Sequence, residues 1–315
     1  MRRLLPAALF FAAAAAAAQG YPTKPITTVV GFEPGGGTDT VARIVGKTLG
    51  EQLHQQIVVE SRSGAGGTIA VDYVAKANPD GYTLVLANVG AMAANPHMMN
   101  LHYNPLTDLT PITMATIFAN VIVAQPELKV KTLREYLDLA RKQRITYASS
   151  GVGGAAHLAG ELLALEAKVQ LVHVPYKGGG PAMRGFLSKE VDSFIATPVT
   201  SHKQVDAGKA VAIATTGPKR AALMANVPTV AESGFPGYEA LNWYAYYGPK
   251  GMPKEIVDLL NRELNKALQD KATISLLEKQ GVEAAPGTAK ELADYTAREY
   301  KTWGDVIKQA GIKPQ

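Results

Sequence analysis

Three consecutive glycines followed by a threonine form the part of this sequence best suited to binding chemistry. Gly35, Gly36 and Gly37 lie between a short apolar run and a segment with helical periodicity. Glycine lets backbone N–H groups approach a ligand closely, and the N-terminus of a helix carries a partial positive charge. The turn continues with TDTVAR, so it lacks the lysine of a nucleotide-binding P-loop and also fails the dinucleotide fingerprint. We therefore expect Phe32, the glycines and Thr38 to hold a small anion through the backbone.

A second turn of the same kind follows a strand-like segment near the middle of the chain. Ser149, Ser150, Gly151 and Gly153 stand between ITYA and a helix-like segment. Two such turns indicate two lobes that face each other across a cleft. A serine at this position is also compatible with a secreted serine hydrolase, although the G-x-S-x-G sequence of the nucleophile turn is absent. The hydrolase stays an alternative, and we favour serines that donate hydrogen bonds at the start of a helix.

Other candidate site residues are aromatic or acidic. Tyr176 lies in a glycine-rich loop and Trp243 belongs to an aromatic cluster, so both side chains are candidates for ligand contact. We expect Asp39 to bind local N–H groups in the first turn of a helix and to point away from an anion. The histidines match no metal-binding spacing such as H-E-x-x-H, and we expect neither a metal nor a cofactor.

The start of the chain and its composition limit its possible partners. Two arginines and an alanine-rich apolar run predict a secretory signal peptide over residues 1–18, which places the mature protein outside the cytoplasm. The sequence contains no cysteine, so neither disulfide bonds nor a lipid-modified cysteine is expected. A net charge of +5, scattered over single residues, gives no indication of nucleic-acid binding.

Strand-like and helix-like segments alternate along the sequence, which predicts an α/β fold with largely parallel sheets. Capping-box sequences predict helix starts at Thr132 and Thr288. The predicted organisation is a discontinuous first lobe, formed by residues 19–124 and 243–315, and a second lobe formed by residues 125–242. No flexible linker separates the halves, so a short two-strand hinge is expected to join them.

Several motifs, taken in order, resemble those of one known family. They are VGFEPGGGTDTVAR, VESRSGAGGTIA, NPDGYTL, YASSGVGG with HLAGELL, VPYKGGGPA and VPTVAESGFPGYEALNWYAYYGPKGMP. Together they cover essentially the whole mature chain, which is similar to the Bug family, the TctC-like periplasmic solute-binding proteins of tripartite tricarboxylate transporters. The resemblance implies a two-lobed type II periplasmic binding fold with an interlobe cleft. It also implies a small carboxylate held between residues 32–38 and 149–154 by backbone amides and bridging waters.

The resemblance further implies a function other than catalysis. The protein is expected to act in the periplasm as a monomer that captures a carboxylate and delivers it to membrane permease subunits, with a sensor kinase as the alternative partner. Similar proteins often carry a Thr/Ser-rich segment after the third strand, where this chain has Asn88 followed by Val89, Ala91 and Met92. We interpret Asn88 as a polar ligand contact. The three apolar residues favour a dicarboxylate or an aromatic acid with a less polar distal end.

Overall fold

The computed structural model describes residues 20–309 and residue 311. The predicted signal peptide, residues 1–18, lies outside these residues. The strands, in chain order, are β1 (Ile26–Val30), β2 (Ile57–Ser61), β3 (Thr83–Asn88), β4 (Leu109–Ala119), β5 (Val121–Ala124), β6 (Ile145–Ser149), β7 (Leu171–Pro175), β8 (Ser193–Ala196), β9 (Val211–Thr215), β10 (Leu241–Pro249) and β11 (Glu283–Ala284). The α-helices are α1 (Gly37–Leu53), α2 (Thr68–Ala75), α3 (Leu133–Ala140), α4 (Ala155–Ala167), α5 (Gly179–Leu187), α6 (Pro198–Asp206), α7 (Lys254–Gln269), α8 (Lys271–Glu278) and α9 (Ala289–Gln309).

The strands form two mixed sheets, and each sheet contains parallel β-α-β units. The first sheet has the order β11-β4-β10-β3-β1-β2, with β1 between its parallel neighbours β3 and β2. The second has the order β7-β6-β8-β5-β9, with β6 parallel to both β7 and β8. Loops at the carboxyl ends of parallel strands form the usual ligand sites of open α/β sheets. Both predicted glycine turns follow such strand ends.

Local sequence explains the buried faces of the helices and where they begin. In α1, the buried residues Val41, Val45 and Leu49 recur at helical spacing and pack into the core of the first lobe. The predicted helix starts are confirmed. Thr132 caps α3 through a complete capping box, and the Thr288 hydroxyl accepts a hydrogen bond from the N–H three residues later.

The chain crosses between the sheets at Asn120 and Ala240. Asn120 separates β4 from β5, and Ala240 directly precedes β10. The Thr216 hydroxyl lies between the two crossings, where it accepts a hydrogen bond from the Asn120 N–H (2.9 Å) and donates one to the Ala240 carbonyl (2.7 Å). The sequence-based boundaries, at residues 124 and 243, differ from these crossings because β5 pairs within the second sheet and β10 starts at Leu241 in the first. We propose a discontinuous first lobe with its boundaries at Asn120 and Ala240.

Buried apolar residues connect the two lobes. One cluster includes Val29 and Trp243 of the first lobe together with Tyr147 and Leu158 of the second. In two further clusters the buried residues come from one lobe only, and Val199 of the second lobe packs against the cluster of the first. The lobes are closed on each other, because the Glu33 N–H also donates a hydrogen bond to the Lys177 carbonyl of the second lobe. Within the residues described, no helix has both the length and the apolar character needed to cross a membrane.

Candidate functional site

Four helices begin at the interface between the lobes, and their N-termini surround one cavity. Gly37 of α1, Ala155 of α4, Gly179 of α5 and Thr197, which directly precedes α6, all line it. None of these four helices has a side-chain cap, so no capping side chain occupies the N–H groups of their first turns. Four partial positive charges therefore converge on the same space, which is an arrangement that favours an anion.

The cavity is small and its lining is uncharged. It is lined by Phe32, Gly37, Thr38, Asn88, Ser150, Ala155, Ala156, Gly179, Phe194, Ile195, Thr197, Asn242 and Tyr244. Its volume is about 20 Å³, enough for about one water molecule and far below the roughly 300–1,000 Å³ of a ligand pocket. An organic anion therefore enters only when the lobes separate. In the part of the chain that the structure describes, no group of His, Asp and Glu residues is arranged to hold a metal ion.

The first glycine turn meets a glycine-rich turn of the other lobe. The Glu33 N–H donates a hydrogen bond across the interface to the Lys177 carbonyl (3.2 Å). A Cβ atom at Gly36 would lie 3.6 Å from the nitrogen of Gly179. The first glycine turn therefore packs against the turn after β7. The sequence instead led us to expect the second predicted turn in that place.

The second predicted turn, residues 149–154, faces a different part of the first lobe. A Cβ atom at Gly66 would collide with the carbonyl oxygen of Val152, and one at Gly153 would overlap with Asn95 Oδ1. Gly153 also has a φ of +70°, a left-handed conformation that favours glycine. Both predicted turns border the cavity, but each packs against a glycine-rich turn that the sequence analysis did not pair with it.

Gly37 is required by close packing from both lobes. A Cβ atom there would lie 2.5 Å from the hydroxyl oxygen of Tyr244 and 3.4 Å from Thr197 Oγ1. Tyr244 belongs to the first sheet, whereas Thr197 belongs to the second lobe. Side chains from both lobes therefore reach the start of α1 because no side chain occupies that position.

Asp39 is directed away from the cavity and stabilises the first turn from behind. Its carboxylate accepts hydrogen bonds from the Gly35 N–H (3.2 Å) and from Arg43 Nε (3.0 Å). The hydrogen bond to Asp39 raises the pKa of the Arg43 guanidinium. The expectation that Asp39 binds local N–H groups is confirmed, so its charge is compensated locally rather than by a ligand.

A buried histidine and a half-buried one stabilise the second turn. The Gly153 N–H donates to His157 Nδ1 (3.0 Å), Ser149 Oγ lies 2.6 Å from His173 Nε2, and the imidazole rings stack with centroids 4.0 Å apart. Burial lowers the pKa of His157 to about 4. Burial and the adjacent His157 lower the pKa of His173 to about 3. Both rings are therefore neutral at neutral pH, and His157 Nδ1 is an unprotonated acceptor for the turn.

Ser149 does not have the surroundings of a catalytic serine, although it contacts a histidine. It is 0 % exposed, and its hydroxyl also bonds to the N–H and the carbonyl of Gly151 (3.1 Å each). Within the described residues, no carboxylate is hydrogen-bonded to His173. Ser150 lines the cavity but has no histidine partner in the same residues. The geometry therefore gives the hydrolase alternative no support.

Comparison with known proteins identifies the family. Residues 41–312 match the family described as "Tripartite tricarboxylate transporter family receptor". The chain belongs to this receptor family. Among curated relatives, the protein BugT of Bordetella pertussis is 36% identical over 305 residues, which cover 96% of this chain and 94% of BugT. The predicted resemblance to the Bug and TctC-like proteins is confirmed.

Solved structures of similar proteins share the fold of this receptor. The R. palustris protein Rpa4515 with adipate has a TM-score of 0.90 and 33% identity, and the match covers 94% of this chain and all (100%) of that one. MatC (Rpa3494) from Rhodopseudomonas palustris with bound malate has a TM-score of 0.86 and 31% identity, with 91% and 100% covered. The predicted two-lobed periplasmic binding fold is confirmed.

Most of the predicted site residues lie at or beside the cavity of the receptor. Five line it directly: Phe32, Gly37, Thr38, Asn88 and Ser150. Gly35 and Gly36 form the turn that leads into α1, and Gly151 borders an adjoining pocket between the lobes. Ser149 and Gly153 contact the two histidines that stabilise the second turn.

Two predicted ligand contacts have side chains directed elsewhere, and this corrects the sequence-based assignment. Trp243 is 0 % exposed, and its indole N–H donates to Glu299 Oε2 on α9 (3.2 Å). Side chains alternate along a strand, so Asn242 and Tyr244 face the cavity while Trp243 faces the core. The Tyr176 hydroxyl donates to a surface carboxylate (2.8 Å), and the residue borders only the adjoining pocket.

The apolar residues after Asn88 do not contact the cavity. Val89, Ala91 and Met92 are fully buried in the core that connects the lobes. The segment continues from β3 into a short helical turn, which turns these side chains into the protein interior. Because they do not line the cavity, these three side chains do not indicate a less polar distal end of the ligand.

The site also contains residues that sequence reasoning did not assign to it. Thr197 precedes a proline at the start of α6, a pattern typical of a helix N-terminus. Asn242 and Tyr244 belong to the predicted aromatic segment, but the sequence does not show which alternate positions face a cleft. Phe194 and Ile195 on β8 carry no signal beyond that of an ordinary buried strand.

Proposed function

We propose that this chain is an extracytoplasmic receptor that captures a small carboxylate in the interlobe cleft and delivers it to membrane subunits of a transporter. The observation that carries the proposal is the convergence of four uncapped helix N-termini on a cavity without charged side chains. Backbone N–H groups at helix N-termini form charge-assisted hydrogen bonds with carboxylate oxygens. The family match and the adipate and malate of the two R. palustris structures support a carboxylate as the ligand.

Binding and closure follow from the same geometry. In the open protein, the first lobe presents the N-terminus of α1, and the carboxylate binds to its free N–H groups. Closure brings the N-termini of α4, α5 and α6 against the ligand, which excludes water and strengthens the hydrogen bonds. Because no lysine or arginine lines the cavity, release does not require a buried ion pair to be separated.

The variant Gly36→Val tests whether the backbone of the first glycine turn binds the ligand. Gly36 has extended backbone angles (φ −88°, ψ 177°) that any residue adopts, so the first lobe should still fold. Valine methyl groups, however, would occupy the space in front of the Gly179 amide. Titration calorimetry with adipate and with malate is expected to show affinity at least about tenfold weaker than for the wild type, the effect of losing about 1.4 kcal/mol.

The matched control is Ala293→Val, which adds methyl groups at an exposed position of α9. This variant should bind like the wild type. Thermal unfolding shows whether Gly36→Val is folded. A folded Gly36→Val protein with wild-type affinity would contradict ligand binding by the backbone of this turn.

Delivery to a transporter is a separate part of the proposal and needs a cellular test. Deletion of the gene is expected to abolish uptake of a radiolabelled carboxylate that the purified protein binds, and the wild-type gene should restore it. Uptake that persists, together with loss of a transcriptional response to the same carboxylate, would contradict transport and assign the protein to sensing.

A further inference from the structure

A second cavity lies beside the two crossings between the lobes. It is lined by residues 117–119, 217–223, 241, 274, 278 and 281–284, and we call it the hinge groove. Its lining has no residue in common with that of the ligand cavity. Its volume is about 770 Å³, which lies within the roughly 300–1,000 Å³ of small-molecule pockets. The groove is therefore a separate site with room for an organic molecule.

Both lobes form the walls of the hinge groove. The loop after β9 forms one wall, and residues of β4, β11 and α8 form the other. Lys219 Nζ lies 3.4 Å from Glu283 Oε2 across the groove, and a Cβ atom at Gly281 would lie 2.5 Å from Pro198 Cβ. Pro198 directly follows Thr197, which lines the ligand cavity. The start of α6 thus contacts both sites, and the shape of the groove depends on how the lobes are closed.

The charged side chains of the hinge groove balance each other at its rim. Lys219, Arg220, Glu278 and Glu283 are all exposed. Lys219 pairs with Glu283, and Arg220 Nε lies 2.9 Å from Glu232 Oε2, which is outside the groove. Neither sign of charge is in excess among the lining residues, so the groove does not attract an ion.

The deeper part of the hinge groove is apolar. Phe118 and Val282 are buried, and Leu223 is the one lining residue among the large apolar side chains that the described residues expose. Among the described residues, which include the whole lining, no groove side chain has a buried polar atom without a hydrogen-bond partner. An occupant therefore needs no hydrogen-bonding groups. Because the apolar surface is recessed, a small molecule fills it better than the flat surface of another protein.

We propose that the hinge groove binds an uncharged, largely apolar organic molecule and that its occupancy favours the closed form. Burial of apolar surface drives the binding, and a molecule that fits the groove of the closed form stabilises that form. The effect on carboxylate binding rests on the proposed function. Because a carboxylate also stabilises the closed form, each ligand should raise the affinity of the other by the same factor.

Two related fluorescent probes test the site and its preference for uncharged ligands. N-phenyl-1-naphthylamine is uncharged, and 8-anilinonaphthalene-1-sulfonate carries the same rings with a sulfonate. The wild type should bind the uncharged probe more tightly. Ala222→Trp fills the groove from an exposed lining position and should weaken binding of the uncharged probe at least about tenfold. Ala225→Trp, at an exposed position nearby that does not line the groove, should bind like the wild type.

A second pair of variants keeps the test decisive if Ala222→Trp does not fold. Leu223→Asp places a charge in the groove and should also weaken binding of N-phenyl-1-naphthylamine. Leu165→Asp changes an exposed leucine of α4 that does not line the groove, so its affinity should stay unchanged.

The effect on closure is measured by energy transfer between two dyes. The chain contains no cysteine, so Glu51→Cys in the first lobe and Ser188→Cys in the second, both at exposed positions, allow specific labelling. N-phenyl-1-naphthylamine alone should change the transfer efficiency in the same direction as malate does. In calorimetric titration, saturating probe should raise the affinity for malate at least about fivefold.

The outcomes separate this inference from the proposed function. Absence of probe binding by the wild type, or unchanged binding in folded Ala222→Trp and Leu223→Asp, would overturn the hinge-groove site. Tighter binding of the sulfonate probe that Ala222→Trp abolishes would overturn the uncharged ligand class. Probe binding with unchanged energy transfer would overturn the link to closure. If the probe binds and closes the lobes but no carboxylate binds, only the proposed function fails.

Discussion

Replacing Gly153 by alanine should make closure of the lobes less favourable and so weaken ligand binding. In the closed structure, the added methyl group would overlap with Asn95 Oδ1 of the opposite lobe. Asn95 is 0 % exposed and its Nδ2 donates to the Ala65 carbonyl (3.3 Å), so it has little room to move. In an open protein the same methyl group would point into solvent and meet nothing from the other lobe.

The free-energy cost of Gly153→Ala has two components, and different measurements detect them. Alanine in the left-handed conformation of Gly153 costs about 1–2 kcal/mol in open and closed forms alike, so this component lowers Tm. The steric overlap exists only in the closed form and costs about 1–3 kcal/mol if the packing partly relaxes. At about 1.4 kcal/mol for each factor of ten, the overlap raises Kd about 5- to 150-fold.

The assay combines calorimetric titration with small-angle X-ray scattering at saturating adipate or malate. Gly208→Ala is the matched control, because Gly208 has nearly the same positive φ (+67°) but its Cβ would meet no atom within 4 Å. It should lower Tm with little effect on Kd. Asn95→Ala, combined with Gly153→Ala, should recover part of the affinity. If Gly153→Ala closes with wild-type affinity, or Gly208→Ala loses as much, the overlap with Asn95 does not control closure.

Two further predictions concern residues behind the site. The pKa of His157 is about 4 in the folded protein, against about 6.5 when unfolded, so the unfolded state binds more protons between these values. The contribution of His157 to the free energy of unfolding should therefore fall by about 3 kcal/mol as the pH falls from 6.5 to 4, and His173, with a pKa of about 3, adds a similar loss of its own. Urea unfolding at several pH values in this range measures the loss. The variant His157→Asn keeps an acceptor near the Nδ1 position but does not titrate, so it should reduce the loss. An unchanged dependence of stability on pH in this variant would disprove the lowered pKa of His157. Trp243→Phe removes the hydrogen bond to Glu299 and some core volume, so it should lower the free energy of unfolding by about 1–3 kcal/mol. The Kd values for adipate and malate should stay unchanged. A weaker affinity in the folded variant would place Trp243 in the binding site.

The two glycine turns were predictable because they depend on local sequence. Glycines after a strand-like run and before an amphipathic segment specify a turn at a helix N-terminus, and the turns at Gly36 and Gly151 occur where this pattern placed them. Which turn packs against which depends instead on how the two sheets are oriented. That orientation is set by contacts between lobes, so the partnership of the first turn with residues 177–180 has no local signal.

Local sequence also did not show which face of a strand a residue occupies or which sheet a strand joins. In the run from Asn242 to Tyr247, apolar and aromatic residues occupy both faces, so alternation did not show that Tyr244 rather than Trp243 faces the cavity. Val121 to Ala124 continues the apolar character of the strand before it, and only the crossing at Asn120 separates the two. Sequence pattern identified these strands but not the sheet or the face to which each residue belongs.

The hydroxyl of Thr216 has a mechanical consequence for the whole molecule. Since it bonds to both Asn120 and Ala240, the two connections between the lobes are held side by side at one point. Relative motion is then a rotation about a single pivot rather than a translation of one lobe along the other. A small change of backbone angles at this pivot is amplified by the length of each lobe into a large displacement at the glycine turns.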